Sequence, residues 1–144
     1  MTSLTLVRRI AARPSLVFEA LVAPDQIRQW WGPDAGPVLL AETDPRPGGG
    51  FRVVFRMLDG TEHESAGTYL EFDPPHRLAM SWRWLRGGGD AGCSRVEVSL
   101  RPIDTGTELT FTHARLADDA SRDSHRAGWI GALDKLEALF TART

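Results

Sequence analysis

The sequence has a single cysteine, a single lysine and no asparagine. Cys93 cannot form a disulfide within the chain, so the fold does not depend on disulfide bonds. No stretch approaches the roughly 18 apolar residues of a membrane span. The chain also begins with a strand-like pattern where a signal peptide would have an apolar core. We therefore expect a cytoplasmic protein without a membrane span.

Neither sign of charge dominates the 144 residues. Seventeen Lys and Arg stand against 19 Asp and Glu, for a net charge of −2. A surface of this kind lacks the positive field that attracts phosphate backbones, so nucleic acid is not an expected partner. The length is typical of one domain, and the 42% hydrophobic content is typical of a globular protein. We expect one domain over residues 1–144.

The first third of the chain predicts one strand and two short helices. Residues 4–11 are β-branched and roughly alternating, which is typical of a strand. Pro14 suits the first turn of a helix, whose apolar residues recur at helical spacing as far as Val22. Pro24 begins a second short helix, which Gly32 and the proline after it bring to an end.

The rest of the chain predicts strands followed by one long helix. From Val38 to about Arg115 the hydrophobic period is two, interrupted by Gly and Pro turns, which indicates six consecutive strands. After Leu116 the period becomes 3.6, which predicts a C-terminal helix of about 20 residues. One apolar stripe of this helix contains Trp129, Leu133, Leu136 and Phe140. We therefore predict an α+β fold in which a curved antiparallel sheet wraps around the last helix.

The inward faces of these elements supply the candidate ligand-binding residues. If the alternation is read correctly, their side chains converge between the sheet and the last helix. They are Phe51, Phe55, Trp82, Trp84, Phe111, His113, Trp129 and Leu133. Two interpretations are open: the aromatic rings form a packed core, or some of them line a cavity, since ligand pockets are mostly apolar and aromatic.

Two polar residues are candidates for acid or base chemistry. His113 alternates with Leu109 and Phe111, which places an imidazole on the concave face of the sheet. It could orient a ligand or exchange a proton there, or be a hydrogen-bonded core histidine. Glu42 shares the period of Val38 and points either into a pocket or to solvent.

Two further groups of side chains are candidates for the opening of a pocket. Adjacent residues of a helix point about 100° apart, so we expect one of Trp30 and Trp31 to be buried and the other more exposed, as an anchor, a protein contact or a ligand gate. Arg122, His125 and Arg126 lie near the start of the last helix, where they form either a lid or a solvated face.

Other kinds of site lack their signatures. The four histidines show no paired metal-ligand spacing, so no metal is expected. The chain has no Gly-x-Ser-x-Gly elbow, and nothing near Cys93 indicates an activated thiol. The glycine runs at 48–50 and 87–89 lack the Gly-Lys-Ser/Thr ending of a phosphate loop and indicate turns. No cofactor is expected.

Several blocks of the sequence together resemble one known family. Its members are homologues of the heat shock protein 90 ATPase activator, in the START-like (SRPBCC, Bet v 1-like) superfamily. The blocks occur in the family's order and cover nearly the whole chain. They are ARPSLVFEAL at 12–21, WWGP at 30–33, PGGGF at 47–51, GTYLEFDPPHRL at 67–78, Trp82, GTELTFTH at 106–113, Gly128-Trp129 and LDKL at 133–136.

The resemblance implies the helix-grip fold, in which a curved sheet and the C-terminal helix enclose an apolar cavity. It therefore predicts a protein that holds a hydrophobic or amphipathic small molecule in that cavity. Two alternatives are open, since a fold does not settle function: a co-chaperone-type interaction module that contacts a chaperone, and an enzyme acting on a lipophilic or polyketide-like substrate. If the chain self-associates, an isologous homodimer is the commonest symmetry.

Overall fold

In the part of the chain that the structure describes, seven antiparallel strands and three helices follow one another in the predicted order. The computed structural model describes residues 2–87 and 92–141, so most of the glycine run at 87–89 lies outside the described residues. The elements are β1 (Thr2–Ile10), α1 (Pro14–Val22), α2 (Pro24–Trp30), β2 (Val38–Thr43), β3 (Gly50–Arg56), β4 (Glu62–Asp73), β5 (Arg77–Arg86), β6 (Ser94–Ile103), β7 (Gly106–Leu116) and α3 (Asp119–Thr141). The predicted α+β helix-grip fold is confirmed.

The strands form one sheet in the order β1-β7-β6-β5-β4-β3-β2. Strands β2 to β7 form a meander, and β1 pairs antiparallel with β7. The first strand is therefore one edge of the sheet, and β2 is the other edge. Alternate side chains face the concave side, where they are covered by α3 and by the segment that contains α1 and α2. The core therefore lies between the sheet and the three helices.

The segment of α1 and α2 shows why one sequence expectation was wrong. Trp30 and Trp31 are both buried, with 2% and 5% of their surface exposed. Helix α2 ends at Trp30, and Trp31 has extended backbone angles, φ −66° and ψ 147°. The 100° spacing of helical neighbours therefore does not apply to this pair, and both rings turn into the core.

Helix α3 presents a longer apolar stripe than its sequence indicates. Trp129, Leu133, Leu136 and Phe140 are buried, as predicted. His125 is also buried, at 8% exposure, because it lies four residues before Trp129 on the same stripe. Of the two alternatives for this group, the solvated face is therefore wrong for His125, whereas Arg126 is exposed.

Glycine lets α3 approach the loop that follows α2. A Cβ atom added to Gly131 would lie 2.1 Å from the carbonyl oxygen of Pro33, so only glycine permits this contact. One turn further on, Lys135 Nζ donates hydrogen bonds to the carbonyl oxygens of Trp31 and Asp34. Burial lowers the pKa of Lys135, and the nearby Asp34 carboxylate partly offsets this effect. The chain's single lysine thus ties the loop to α3.

Candidate ligand-binding cavity

An open cavity of about 290 Å³ lies between the sheet, α3 and the loop after α2. Its walls come from strands β3 to β5, from the first half of α3 and from the loop that Lys135 holds. The lining residues are Trp31, Gly32, Pro33, Phe55, Met57, His63, Trp82, Trp84, Ser124, His125, Ala127, Gly128, Trp129 and Ala132. Most of the wall is therefore aromatic or aliphatic carbon.

Half of the predicted ligand-binding residues line this cavity. Those that do are Phe55, Trp82, Trp84 and Trp129. The other four, Phe51, Phe111, His113 and Leu133, are buried outside the lining set. Phe51 packs beside Trp82, with ring centroids 5.9 Å apart, and Phe111 packs 4.4 Å from Trp129. These rings support the wall from behind.

The four lining indoles are arranged both face to face and edge to face. Trp31 and Trp82 are stacked, with centroids 5.5 Å apart and planes 18° apart. Trp129 meets Trp31 at 74°, and Trp84 meets Trp82 at 86°. Aromatic rings attract one another in both geometries because the negative face of one ring meets the positive edge of another. The wall of the cavity is thus built from aromatic rings that also pair with one another.

His113 is fixed in one tautomer by its neighbours. Trp129 Nε1 lies 3.0 Å from His113 Nδ1, and since an indole N–H can only donate, Nδ1 is the acceptor and carries no hydrogen. The ring proton is therefore on Nε2, which donates to Ser94 Oγ at 2.7 Å. Ser94 Oγ donates in turn to the carbonyl oxygen of Trp82, 3.4 Å away. His113 thereby connects α3 with two neighbouring strands.

His125 is fixed in the opposite tautomer. Trp84 Nε1 donates to His125 Nε2 at 3.0 Å, so this nitrogen carries no hydrogen. The ring proton is on Nδ1, which donates to the carbonyl oxygen of Ser121 at 2.7 Å. Since Trp84 belongs to β5 and His125 to α3, their hydrogen bond bridges the sheet and the helix at the cavity wall. Both inward histidines are therefore neutral acceptors of an indole N–H.

These tautomers bear on the predicted acid and base chemistry. Ser94 and His113 have the spacing of a nucleophile and its base, but Nε2 of His113 already carries the proton and cannot accept another from Ser94. Glu42 does not line the cavity; its side chain is 62% exposed and lies 3.6 Å from Arg52. Neither residue is placed for the catalytic role considered from the sequence.

One polar atom of the cavity wall stands out by its lack of a partner. Trp82 is 2% exposed, and its Nε1 donates to no acceptor among the described residues. Ser65, which pairs with Trp84 across β4 and β5, has a hydroxyl in the same condition. Buried polar groups without partners are rare in folded proteins and cost roughly 1–3 kcal/mol each.

Sequence reasoning missed the small residues of the cavity wall. Gly128, Gly131 and Ala132 occupy positions i, i+3 and i+4 of α3, and Gly128 and Ala132 line the cavity. This spacing puts them on one side of the helix and is the signal that marks a close approach.

His63 was considered only as a metal ligand; it lines the cavity and stacks on Phe55 at 5.2 Å. Within residues 2–87 and 92–141, no cluster of three His, Cys, Asp or Glu side chains could hold a metal ion.

Fold and cavity together define a START-like protein of the helix-grip class. The family profile named activator of Hsp90 ATPase homolog 1-like protein matches residues 11–141. The chain belongs to that family. No functionally curated protein matches the sequence.

Solved structures of bacterial proteins are similar over nearly the whole chain. A protein from Chromobacterium violaceum is 27% identical, with 96% of each chain covered and a TM-score of 0.87. An activator of Hsp90 ATPase homolog 1 protein from Silicibacter pomeroyi is 26% identical over 99% of this chain and 100% of its own, with a TM-score of 0.86. A protein from Rhodobacter sphaeroides is 27% identical over 98% and 93%, with a TM-score of 0.82. In the part of the chain that the structure describes, no helix is long and apolar enough to cross a membrane.

Proposed function

We propose that this protein is a single-domain binding protein that holds a hydrophobic small molecule in the cavity between the sheet and α3. The observation that carries the proposal is the cavity itself, about 290 Å³ of open volume walled by four indoles and Phe55. Protein interiors are close-packed, so an apolar wall around about 290 Å³ of open space makes fewer dispersion contacts with its own side chains than a packed core does. A hydrophobic ligand supplies such contacts.

The ligand-contacting residues in this proposal are Phe55, Trp82, Trp84 and Trp129 from the sequence prediction, joined by Trp31. Phe51, Phe111 and His113 contact those side chains and hold them in place, and Leu133 is buried in the same core. The tautomers of His113 and His125 favour binding over catalysis, because each ring uses its unprotonated nitrogen to accept an indole N–H. Contact with a chaperone, which the family name suggests, is the competing hypothesis.

The test uses the side-chain N–H signals of the five tryptophans in a ¹H–¹⁵N NMR spectrum. Trp31, Trp82, Trp84 and Trp129 line the cavity, whereas Trp30 does not and donates its N–H to the carbonyl oxygen of Ala20 at 2.8 Å. Adding 2-naphthol, a neutral two-ring probe, is expected to shift the four lining signals and to change that of Trp30 least. Equal shifts at all five, or none at saturating probe, would contradict the proposal.

A matched pair of variants at Gly128 controls the experiment. A Cβ atom at this position would lie 3.8 Å from Pro33 Cβ, an ordinary contact, so Gly128→Ala is expected to bind as the natural protein does. Gly128→Leu adds three more carbon atoms beside the cavity and is expected to weaken binding at least tenfold. If Gly128→Leu binds 2-naphthol unchanged, the probe occupies another place and the proposal fails.

A further inference from the structure

The cavity's size, charge and shape point to a narrower class of ligand. We infer that it takes a neutral, flat aromatic molecule of at most two fused rings, an inference that rests on the proposed binding function. Three independent observations carry it: the volume of the cavity, the charge of its wall, and the geometry of the indoles.

The volume limits the ligand's size. An apolar cavity of about 150 Å³ accommodates one benzene ring, and pockets for drug-sized molecules span about 300–1,000 Å³. The present cavity, at about 290 Å³, is roughly twice the first figure and just below the second range. Two fused rings fit within this volume, whereas a four-ring skeleton would extend through the opening into solvent.

The charge of the wall limits the ligand to an uncharged molecule. None of the described residues that line the cavity is Asp, Glu, Lys or Arg. The titratable side chains of the wall are two histidines, His63 and His125, and His125 is neutral in its tautomer. The indole N–H groups of Trp84 and Trp129 already donate to histidines, which leaves the N–H of Trp82 as a buried lining donor without an acceptor among the described residues. A carboxylate or ammonium would therefore exchange its hydration for isolated neutral groups, without an Asp, Glu, Lys or Arg counter-ion. Only an uncharged molecule avoids this loss.

The ring geometry favours an aromatic ligand over a saturated one. Five of the lining residues are Trp or Phe, and four of them are indoles that already pair by stacking or by edge-to-face contact. A flat π-system can interact with aromatic rings in either way, whereas a puckered saturated ring of the same skeleton has neither a negative face nor a flat profile. The wall therefore favours ligands that are flat and that have the charge distribution of an aromatic ring.

Isothermal titration calorimetry with matched probes tests each element of the inference. The amide 2-naphthamide and the acid 2-naphthoate have the same size and shape and differ in charge, and we expect the charged probe to bind at least tenfold more weakly. We expect the saturated analogue 2-decalol to bind at least fivefold more weakly than 2-naphthol. The four-ring 1-pyrenol is expected not to compete with 2-naphthol.

The outcomes separate this inference from the proposed function. The inferred class is wrong if 2-naphthoate binds as tightly as 2-naphthamide, or if 2-decalol or 1-pyrenol binds as tightly as 2-naphthol, and Gly128→Leu abolishes that binding. In that case the cavity does bind ligands. If neither 2-naphthol nor 2-naphthamide binds while one of the other three occupies the cavity, the class is likewise overturned. If none of the five probes binds, the binding function itself fails.

Discussion

Replacing Trp82 by alanine is expected to lower the free energy of unfolding by about 3–5 kcal/mol, the usual cost of truncating a buried tryptophan. The residue is 2% exposed and lies at the centre of the aromatic cluster. Its ring is within 6 Å of five others, those of Trp31, Phe51, Trp84, His113 and Trp129. The loss is a large part of a typical total stability of about 5–15 kcal/mol. Urea unfolding followed by circular dichroism measures it.

The control for this variant is the next residue of β5. Arg83 is exposed on the opposite face of the strand, so Arg83→Ala is expected to change the free energy of unfolding by no more than about 0.5 kcal/mol. Gly67 of the neighbouring strand β4 lies against the same aromatic cluster. A Cβ atom at this position would lie 2.7 Å from the ring of Phe51, which packs beside Trp82. Equal losses at positions 82 and 83 would show that the inward and outward faces of β5 are assigned wrongly.

Replacing His113 by leucine is expected to lower the free energy of unfolding by roughly 2–4 kcal/mol, although leucine fills a similar volume. The imidazole is completely buried and accepts the N–H of Trp129 while donating to Ser94. Leucine leaves the Trp129 N–H buried without an acceptor. An unsatisfied buried donor costs more than the hydrogen bond itself contributes in net terms. Chemical denaturation of the two proteins measures the difference.

Two further variants separate this effect from general damage. His76 is exposed, so His76→Leu is expected to change stability by less than about 0.5 kcal/mol. In a Trp129→Phe background the indole N–H is absent, and His113→Leu should then cost at least about 1 kcal/mol less than it does in the natural protein. An equal cost in both backgrounds would mean that the His113–Trp129 hydrogen bond does not stabilise the fold.

The elements of the fold were predictable because one face of each is buried. Phe51, Val53 and Phe55 follow one another at a period of two along β3 and are all at most 5% exposed, although Val54 between them is also buried. Helix α3 shows the same relation at a period of 3.6. Where the backbone departs from a regular period the inference failed: Trp31 follows a helix that ends one residue earlier than the pattern suggests. His125 was missed because a polar residue continues the apolar stripe.

The cavity itself was only partly predictable. Alternation shows which side chains point inward. A cavity, however, forms where the sheet and the helix do not pack tightly against each other, and this depends on the distance between them. Phe51 and Phe55 point the same way from β3, yet only Phe55 lines the cavity. The loop after α2 supplies Trp31 and Pro33 to the wall through a tertiary contact with Gly131. The spacing of small residues in α3 marks a close approach but does not say which segment makes it.

A crystal structure of the protein with 2-naphthol tests the central claim most directly. We predict electron density for the two fused rings inside the cavity, within van der Waals contact of about 4.5 Å from Trp82 and Trp129. The Lys135 contacts to the loop after α2 should be retained. Probe density confined to the outer surface of the sheet, with none in the cavity or with a rotated indole in its place, would contradict the account.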